Sequence, residues 1–153
     1  STLHTNDAPE AVARLLDLGV RPHLLSAALR AAVAQRLVRR ICLQCRGSRA
    51  PSAAGRRFLS CHPEHATDGQ WSAGAGCAAC SGTGHHGRIG LFELLTVQED
   101  TRELIAAHAT PGRLRDHARS VGVRTMREDG VRKAARGLTT LDEVIAATVD
   151  DPN

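Results

Sequence analysis

Four cysteines carry the chemistry this sequence can do. They form two C-x-x-C pairs, "CLQC" at Cys42–Cys45 and "CAAC" at Cys77–Cys80, with 31 residues between Cys45 and Cys77. Each pair can present two thiolates to one metal from a tight turn, and two pairs complete a tetrahedral Cys₄ set. Such a set leaves no open position for a substrate, so the metal it predicts is structural zinc. A redox C-x-x-C usually stands alone, at the start of a helix after a strand. A disulfide framework is disfavoured by the odd count of five cysteines and by the lack of an export signal. The intervening loop is longer than usual zinc-ribbon spacing. Cys61, in "CHPEH", could join His62 and His65 as a second ligand set, but the plainer reading is a free loop thiol beside surface histidines. His85 and His86 follow the second pair. Two complete pairs already saturate zinc, so both are read as exposed loop residues.

The rest of the composition bounds the function. The chain has 153 residues, 42% of them hydrophobic, enough for one domain or two small ones. Its core must come from Leu, Val, Ile and Ala, because Phe58, Trp71 and Phe92 are the only aromatics. The net charge is +4, from 20 basic against 16 acidic side chains. That balance suits a solvated arginine-rich surface, and the aromatic platforms of a base-binding protein are missing. No specific nucleic acid is expected. The only lysine is Lys133, in "DGVRKAARG". A phosphate-binding loop of the form G-x-x-x-x-G-K-[ST] is therefore absent, and the chain is not a complete P-loop ATPase. No run of 18 apolar residues occurs. The start at Ser1 rather than Met suggests a fragment or a processed chain.

These cysteines need a scaffold. "STLHT" at 1–5 reads as the end of a buried strand. "NDAPEAVARLLDLG" reads as a helix capped by Asn6 or Asp7, with Pro9 in its first turn and Gly19 at its stop. A second helix is predicted over 22–34 from the stripe Leu24, Leu25, Ala28, Leu29, Ala32 and Val33. "QRLVRRIC" reads as a short strand entering the first pair. Residues 47–75 are small and polar and are expected to form a long loop. "GRIGLFELL" at 87–95 reads as a strand buried on both faces. Helices follow. Thr96 and Glu99 fit a capping box for the first, and Thr110-Pro111 opens the next, with Leu114, Ala118 and Val121 inward. A third lies near 125–136, and Thr140 with Glu143 opens the last.

The order of motifs is specific: "STLHTNDAPEAVARLLDLGV", "AQRLVRRIC", the two C-x-x-C pairs, "GRIGLFELL" and "MREDGVRKAARGLTTLDEV". It resembles the C-terminal part of the type II secretion and type IV pilus assembly ATPases. The likeness covers nearly the whole chain, with residues 47–76 matching weakly. It implies an α/β fold: the C-terminal portion of a RecA-like P-loop ATPase core, with an inserted Cys₄ zinc-binding loop and a C-terminal helical region. The implied divisions are 1–41 for the end of the core, 42–86 for the tetracysteine subdomain, and 87–153 for the last core strand and the helices. "STLHTN" looks like the family's histidine box, which implies a catalytic or phosphate-sensing role for His4. Gln35 and Arg36 match a Gln-Arg pair of the family. A nucleotide-binding role is their weaker reading beside that of polar strand residues facing a neighbouring subunit. Cys42, Cys45, Cys77 and Cys80 look like its zinc ligands.

The resemblance also implies a setting. The family forms homohexamers that are cytoplasmic and peripherally associated with the bacterial inner membrane. They couple ATP hydrolysis to protein export or pilus assembly by acting on an inner-membrane platform protein. Their Walker A, aspartate box and Walker B lie upstream of the histidine box, so ATP and Mg2+ belong to a full-length parent only, and this chain alone is expected to be inactive. An aromatic that relatives carry after the second pair is His85 or His86 here. The alternative is a stand-alone structural zinc domain that binds protein or nucleic acid through its arginines. A chaperone zinc repeat is disfavoured, because only "CAACSGTG" fits C-x-x-C-x-G-x-G.

Overall fold

The computed structural model describes residues 2–63 and 70–148. The predicted position His65 lies outside them. In chain order the elements are α1 (Ala8–Asp17), α2 (Pro22–Ala28), β1 (Ala31–Ile41), β2 (Arg46–Ser48), α3 (Ala53–Cys61), β3 (Ser72–Gly74), β4 (His85–Thr96), α4 (Glu99–Ala106), α5 (Pro111–Ser120), α6 (Met126–Ala135) and α7 (Leu141–Ala147). β1 pairs with β4, and β2 pairs with β3. The Val97 N–H donates to the Arg30 carbonyl and the Cys42 N–H to the Gly84 carbonyl, so β1 and β4 run antiparallel. The chain divides into two compact units, residues 1–35 with 92–125 and residues 36–91 with 126–153. None of the described helices is long and apolar enough to cross a membrane.

The first unit is organised around the start of α1. Asp7 caps that helix, its carboxylate accepting the Glu10 N–H at 2.7 Å, and Pro9 sits in the first turn as expected. The same carboxylate accepts a hydrogen bond from Arg115 Nε of α5. Buried Glu93 of β4 accepts the Ala8 N–H at 3.0 Å. The Ala8 and Glu10 N–H groups at this helix end thus have side-chain partners, one of them, Glu93, distant in sequence. Val12, Leu16, Leu25, Leu95, Ile105 and Leu114 fill the core of this unit.

Several sequence expectations need correcting here. Residues 2–5 have no regular secondary structure, so "STLHT" is not a strand. The second helix stops at Ala28, and residues 31–34 begin β1 instead. The Ala-rich stretch has high helix propensity, but pairing with β4 overrides it. In β4, Leu91, Glu93 and Leu95 are buried while Phe92 and Leu94 are exposed, so one face is covered rather than two. Thr96 ends β4, and α4 is capped at Gln98 without a side-chain hydrogen bond. Thr110 caps α5 as expected, but Val121 is exposed.

The second unit packs α6, α7 and α3 around Ile41, Leu91, Met126, Val131, Leu141 and Val144. The predicted loop 47–75 contains β2, α3 and β3. Ser52 caps α3 by accepting the Gly55 N–H at 3.0 Å, a signal hidden within the small, polar composition. Lys133 donates to the Gly90 carbonyl at 2.8 Å and pairs with Asp129, which gives the only lysine a structural role. Thr140 caps α7 by accepting the Glu143 N–H. The Glu143 side chain turns instead to β1, where it accepts from Arg39 Nη2 at 2.6 Å and from the Arg39 N–H at 3.0 Å.

That carboxyl titrates below its ordinary 4.5, chiefly because Arg39 hydrogen-bonds to it. A carboxyl whose folded pKa is lowered adds stability above its unfolded pKa and loses it as pH falls through the folded one. Arg39 is 59% exposed, so screening holds the gain to about 1 kcal/mol or less. Glu143→Gln is therefore expected to be less stable by that amount at pH 7. The gap should close as pH drops below 4.5. Paired thermal melts across pH check this, and a gap that stays constant down to acid would contradict it.

Candidate metal centre

β1 delivers Cys42 just past its end, and the following turn brings Cys45 round to the start of β2. The second pair sits on a single 3₁₀ turn, Ala78–Cys80, immediately before β4. The β2–β3 ribbon holds the two ends together, with Arg46 opposite Gly74 and Ser48 opposite Ser72. The Ala75 N–H adds a bond to the Cys45 carbonyl at 3.0 Å.

The four sulfurs converge. Cys42 Sγ lies 3.8 Å from Cys77 Sγ, Cys45 Sγ 3.8 Å from Cys80 Sγ, and Cys77 Sγ 3.7 Å from Cys80 Sγ. All four lie within 4.8 Å of one another, close enough to bind one metal ion. Four thiolates around zinc at the usual ~2.3 Å would have tetrahedral edges of about 3.8 Å. The donor set and spacing therefore fit that ion. Cys42 and Cys80 are buried and Cys45 and Cys77 half-buried.

Backbone N–H groups aim at these sulfurs. Cys80 Sγ accepts from the Cys77 N–H and the Gly84 N–H, both at 3.2 Å, and Cys45 Sγ accepts from the Gly76 N–H at 3.3 Å. The Cys77 amide, then that of Gly84, favours the Cys80 thiolate and lowers its pKa to about 6, against the cost of burial. Desolvation pushes the Cys45 thiol up to about 11. A divalent cation held by these four residues would supply the positive charge needed for the whole set to ionise.

One contact holds the arrangement closed. The backbones of Gly74 and Gly84 touch: a Cβ on Gly74 would lie 2.1 Å from the Gly84 carbonyl oxygen. Gly84 also has φ +73°, adverse for other residues. Its N–H serves Cys80 and its carbonyl serves the Cys42 N–H, so one residue ties both pairs. Thr83 clips the turn, donating from Oγ1 to the Cys80 carbonyl at 2.6 Å. The His86 ring meets the Ala79 carbonyl at 3.1 Å. Sequence reasoning missed these supports, although the glycine run "AGAGCAACSGTG" was their signal. His85 and His86 begin β4 rather than lying in a loop, and His85 is half-buried. Cys61 stands outside the cluster, exposed at the end of α3.

The remaining candidates are placed separately. His4 is exposed in the irregular segment before α1. Gln35 is exposed on β1, and half-buried Arg36 donates from Nη1 to the Ala147 carbonyl. His4 and Gln35 fall in the first unit, whereas Arg36 and the four cysteines fall in the second.

The α/β fold and a partly buried tetracysteine cluster between β1 and β4 define a class also apparent in sequence. Residues 1–146 match the family described as Type II/IV secretion system protein, and the chain belongs to that family. It is 41% identical over 150 residues to the type IV pilus assembly ATPase PilB of Thermus thermophilus, covering 98% of this chain and 17% of that protein. It is 43% identical to the type II secretion system protein HxcR of Pseudomonas aeruginosa, covering 98% of this chain and 28% of that protein. Type II secretion system protein E of Aeromonas hydrophila is 41% identical, with 99% and 30% covered. The chain thus spans less than a third of the length of these relatives. The fold matches the crystal structure of the pilus retraction motor PilT with bound ADP at TM-score 0.58 and 20% identity, over 98% of this chain and 32% of that one.

Gly84→Ala and Gly74→Ala are each expected to weaken metal binding at least about tenfold, as loss of a supporting contact around a metal site does. Competition against a chromophoric chelator measures this. Wild-type affinity in both variants would show that the glycine contact does not hold the cluster.

Proposed function

We propose that this chain is the C-terminal portion of the RecA-like core of a secretion or pilus assembly ATPase. Its tetracysteine cluster holds structural zinc through Cys42, Cys45, Cys77 and Cys80. The observation that carries the reading is the convergence of four sulfurs at tetrahedral spacing within a chain of this family. Zinc here supplies cross-linking, not catalysis, since four protein ligands leave no open position. It staples two strand ends that a small, aromatic-poor core would hold weakly.

The full-length parent would hydrolyse ATP with Mg2+ as a cytoplasmic homohexamer at the inner membrane, acting on a platform protein. The names of its relatives, a pilus assembly ATPase and type II secretion proteins, support this. In that parent His4 would face the nucleotide phosphates, and its exposure in an unpaired segment leaves its ring free to do so. The role of Gln35 and Arg36 at a nucleotide rests on the family likeness alone. No specific nucleic-acid partner belongs to this reading.

Elemental analysis of the purified chain is the test. One zinc per chain is expected, lost in both Cys42→Ser and Cys77→Ser; a chain without metal, or one that keeps it in both variants, would falsify the zinc reading. Chelation should reduce thermal stability of the wild type and leave the two variants unchanged. The chain alone should not hydrolyse ATP, and robust zinc-dependent hydrolysis by it would overturn the assignment as a core fragment. In the full-length motor, His4→Ala is expected to lower ATP turnover roughly a hundredfold, the usual cost of a lost transition-state donor. Unchanged turnover would remove His4 from the site.

A further inference from the structure

A second feature lies beside the β2–β3 ribbon that follows Cys45. Between the β2–β3 ribbon and the C-terminal end of α6 is an open cleft of about 430 Å³, lined by Arg46, Ser48, Gln70, Ser72 and Arg136 among others. None of its lining residues is acidic. The Arg136 side chain has no hydrogen-bond or ion-pair partner among the described residues. The Arg46 guanidinium reaches only the Gly137 carbonyl, at 3.5 Å. In the same unit Arg39 is paired with the Glu143 carboxylate and Lys133 with that of Asp129. Arg46 and Arg136 thus line one acid-free cleft together, neither with a carboxylate partner among the described residues.

The chemistry of the donors selects the ligand. Each guanidinium is a planar fork of N–H donors that suits a phosphoryl oxyanion bidentately. The Ser48 hydroxyl and the Gln70 amide add donors, and the Ser72 hydroxyl makes only a 3.4 Å bond to the Gln70 carbonyl. Together these exceed what the two oxygens of one carboxylate can accept, whereas a phosphoryl group offers three strong acceptors. The end of α6 presents partial negative charge from its last carbonyls, and Arg136, one residue beyond, offsets it. Arg46 directly follows Cys45 and pairs opposite Gly74 in the ribbon, so its backbone is fixed by the cysteine cluster.

We propose that this cleft binds a phosphoryl-bearing ligand, a phosphomonoester or diphosphate group, between Arg46 and Arg136. The site lies in the second unit and contains none of the histidine-box residues, so it is separate from any hydrolytic role of His4. It uses the cysteine cluster as scaffold and not as ligand.

The test is calorimetric titration of the metal-loaded chain with pyrophosphate, beside sedimentation with vesicles of phosphatidic acid in phosphatidylcholine. The same titrations are run on Arg136→Gln and Arg46→Gln, with metal content measured on each. Saturable 1:1 binding of pyrophosphate, weakened about tenfold in Arg136→Gln at unchanged metal content, is expected from loss of a charge-assisted pair. Binding to phosphatidic acid vesicles but not to pyrophosphate, again lost in Arg136→Gln, would keep the site and assign its phosphate to a lipid headgroup. Binding that both variants leave unchanged, or no binding in either arm, would overturn the proposal. Capture of a polyglutamate peptide in preference to pyrophosphate would overturn it too. Because Arg136 is remote in sequence from every cysteine, failure here leaves the zinc reading untouched, and failure of zinc loading shows in the metal content.

Discussion

The second unit depends on the contact between Gly74 and Gly84. The two cysteine pairs are far apart in sequence, and bringing them together costs conformational entropy. Two backbones in direct contact, with no side chain between them, bring the strand ends close enough for four sulfurs to meet. The amides of Cys77 and Gly84 point at Cys80 Sγ and favour its thiolate, while the Gly76 amide at Cys45 Sγ only partly offsets the cost of burial there. Metal bound at this cluster would reinforce the backbone closure, since each would remove part of the cost of the other.

The first unit solves a different problem. Its segment before α1 is exposed and irregular, yet the helix it enters is tightly fixed. Asp7 is 5% exposed and shared between its own helix and Arg115; Glu93 is 6% exposed and holds the Ala8 N–H. A buried carboxylate is costly unless matched by donors, and both of these are. The result is an irregular segment, with His4 exposed and Leu3 and Thr5 half-buried, leading into a firmly anchored helix.

Legibility in the sequence followed the range of the interaction. Caps at Asp7, Thr110 and Thr140 were readable because their partners lie three residues away. The cysteine cluster was readable because metal geometry imposes the C-x-x-C spacing on each half. Residues 31–34 were not readable: a stretch with three alanines of high helix propensity becomes strand because β4 lies beside it, and β4 is some fifty residues downstream. The exposed faces at Phe92 and Val121 were misread for a related reason, since periodicity marks which residues share a face and not whether anything covers it. α3 was hidden because Ser52 as a cap and Gly55 against Leu141 look like loop composition until the partner is in place.

Charge gives the last link between the cysteine cluster and the surface. With one lysine and nineteen arginines, the basic surface consists almost wholly of planar forks, and forks need two-pronged partners to be satisfied. Where the fold provides such a partner, as Glu143 does for Arg39, the arginine adds modest stability. Where it does not, an exposed guanidinium remains hydrated and available. Arg46 is available at a fixed place, because the residue before it is Cys45 and the residue opposite it is Gly74, and both belong to the closed cluster. The closed cysteine cluster thus fixes the backbone that carries a charge, and a structural site without a catalytic position can set where that charge stands.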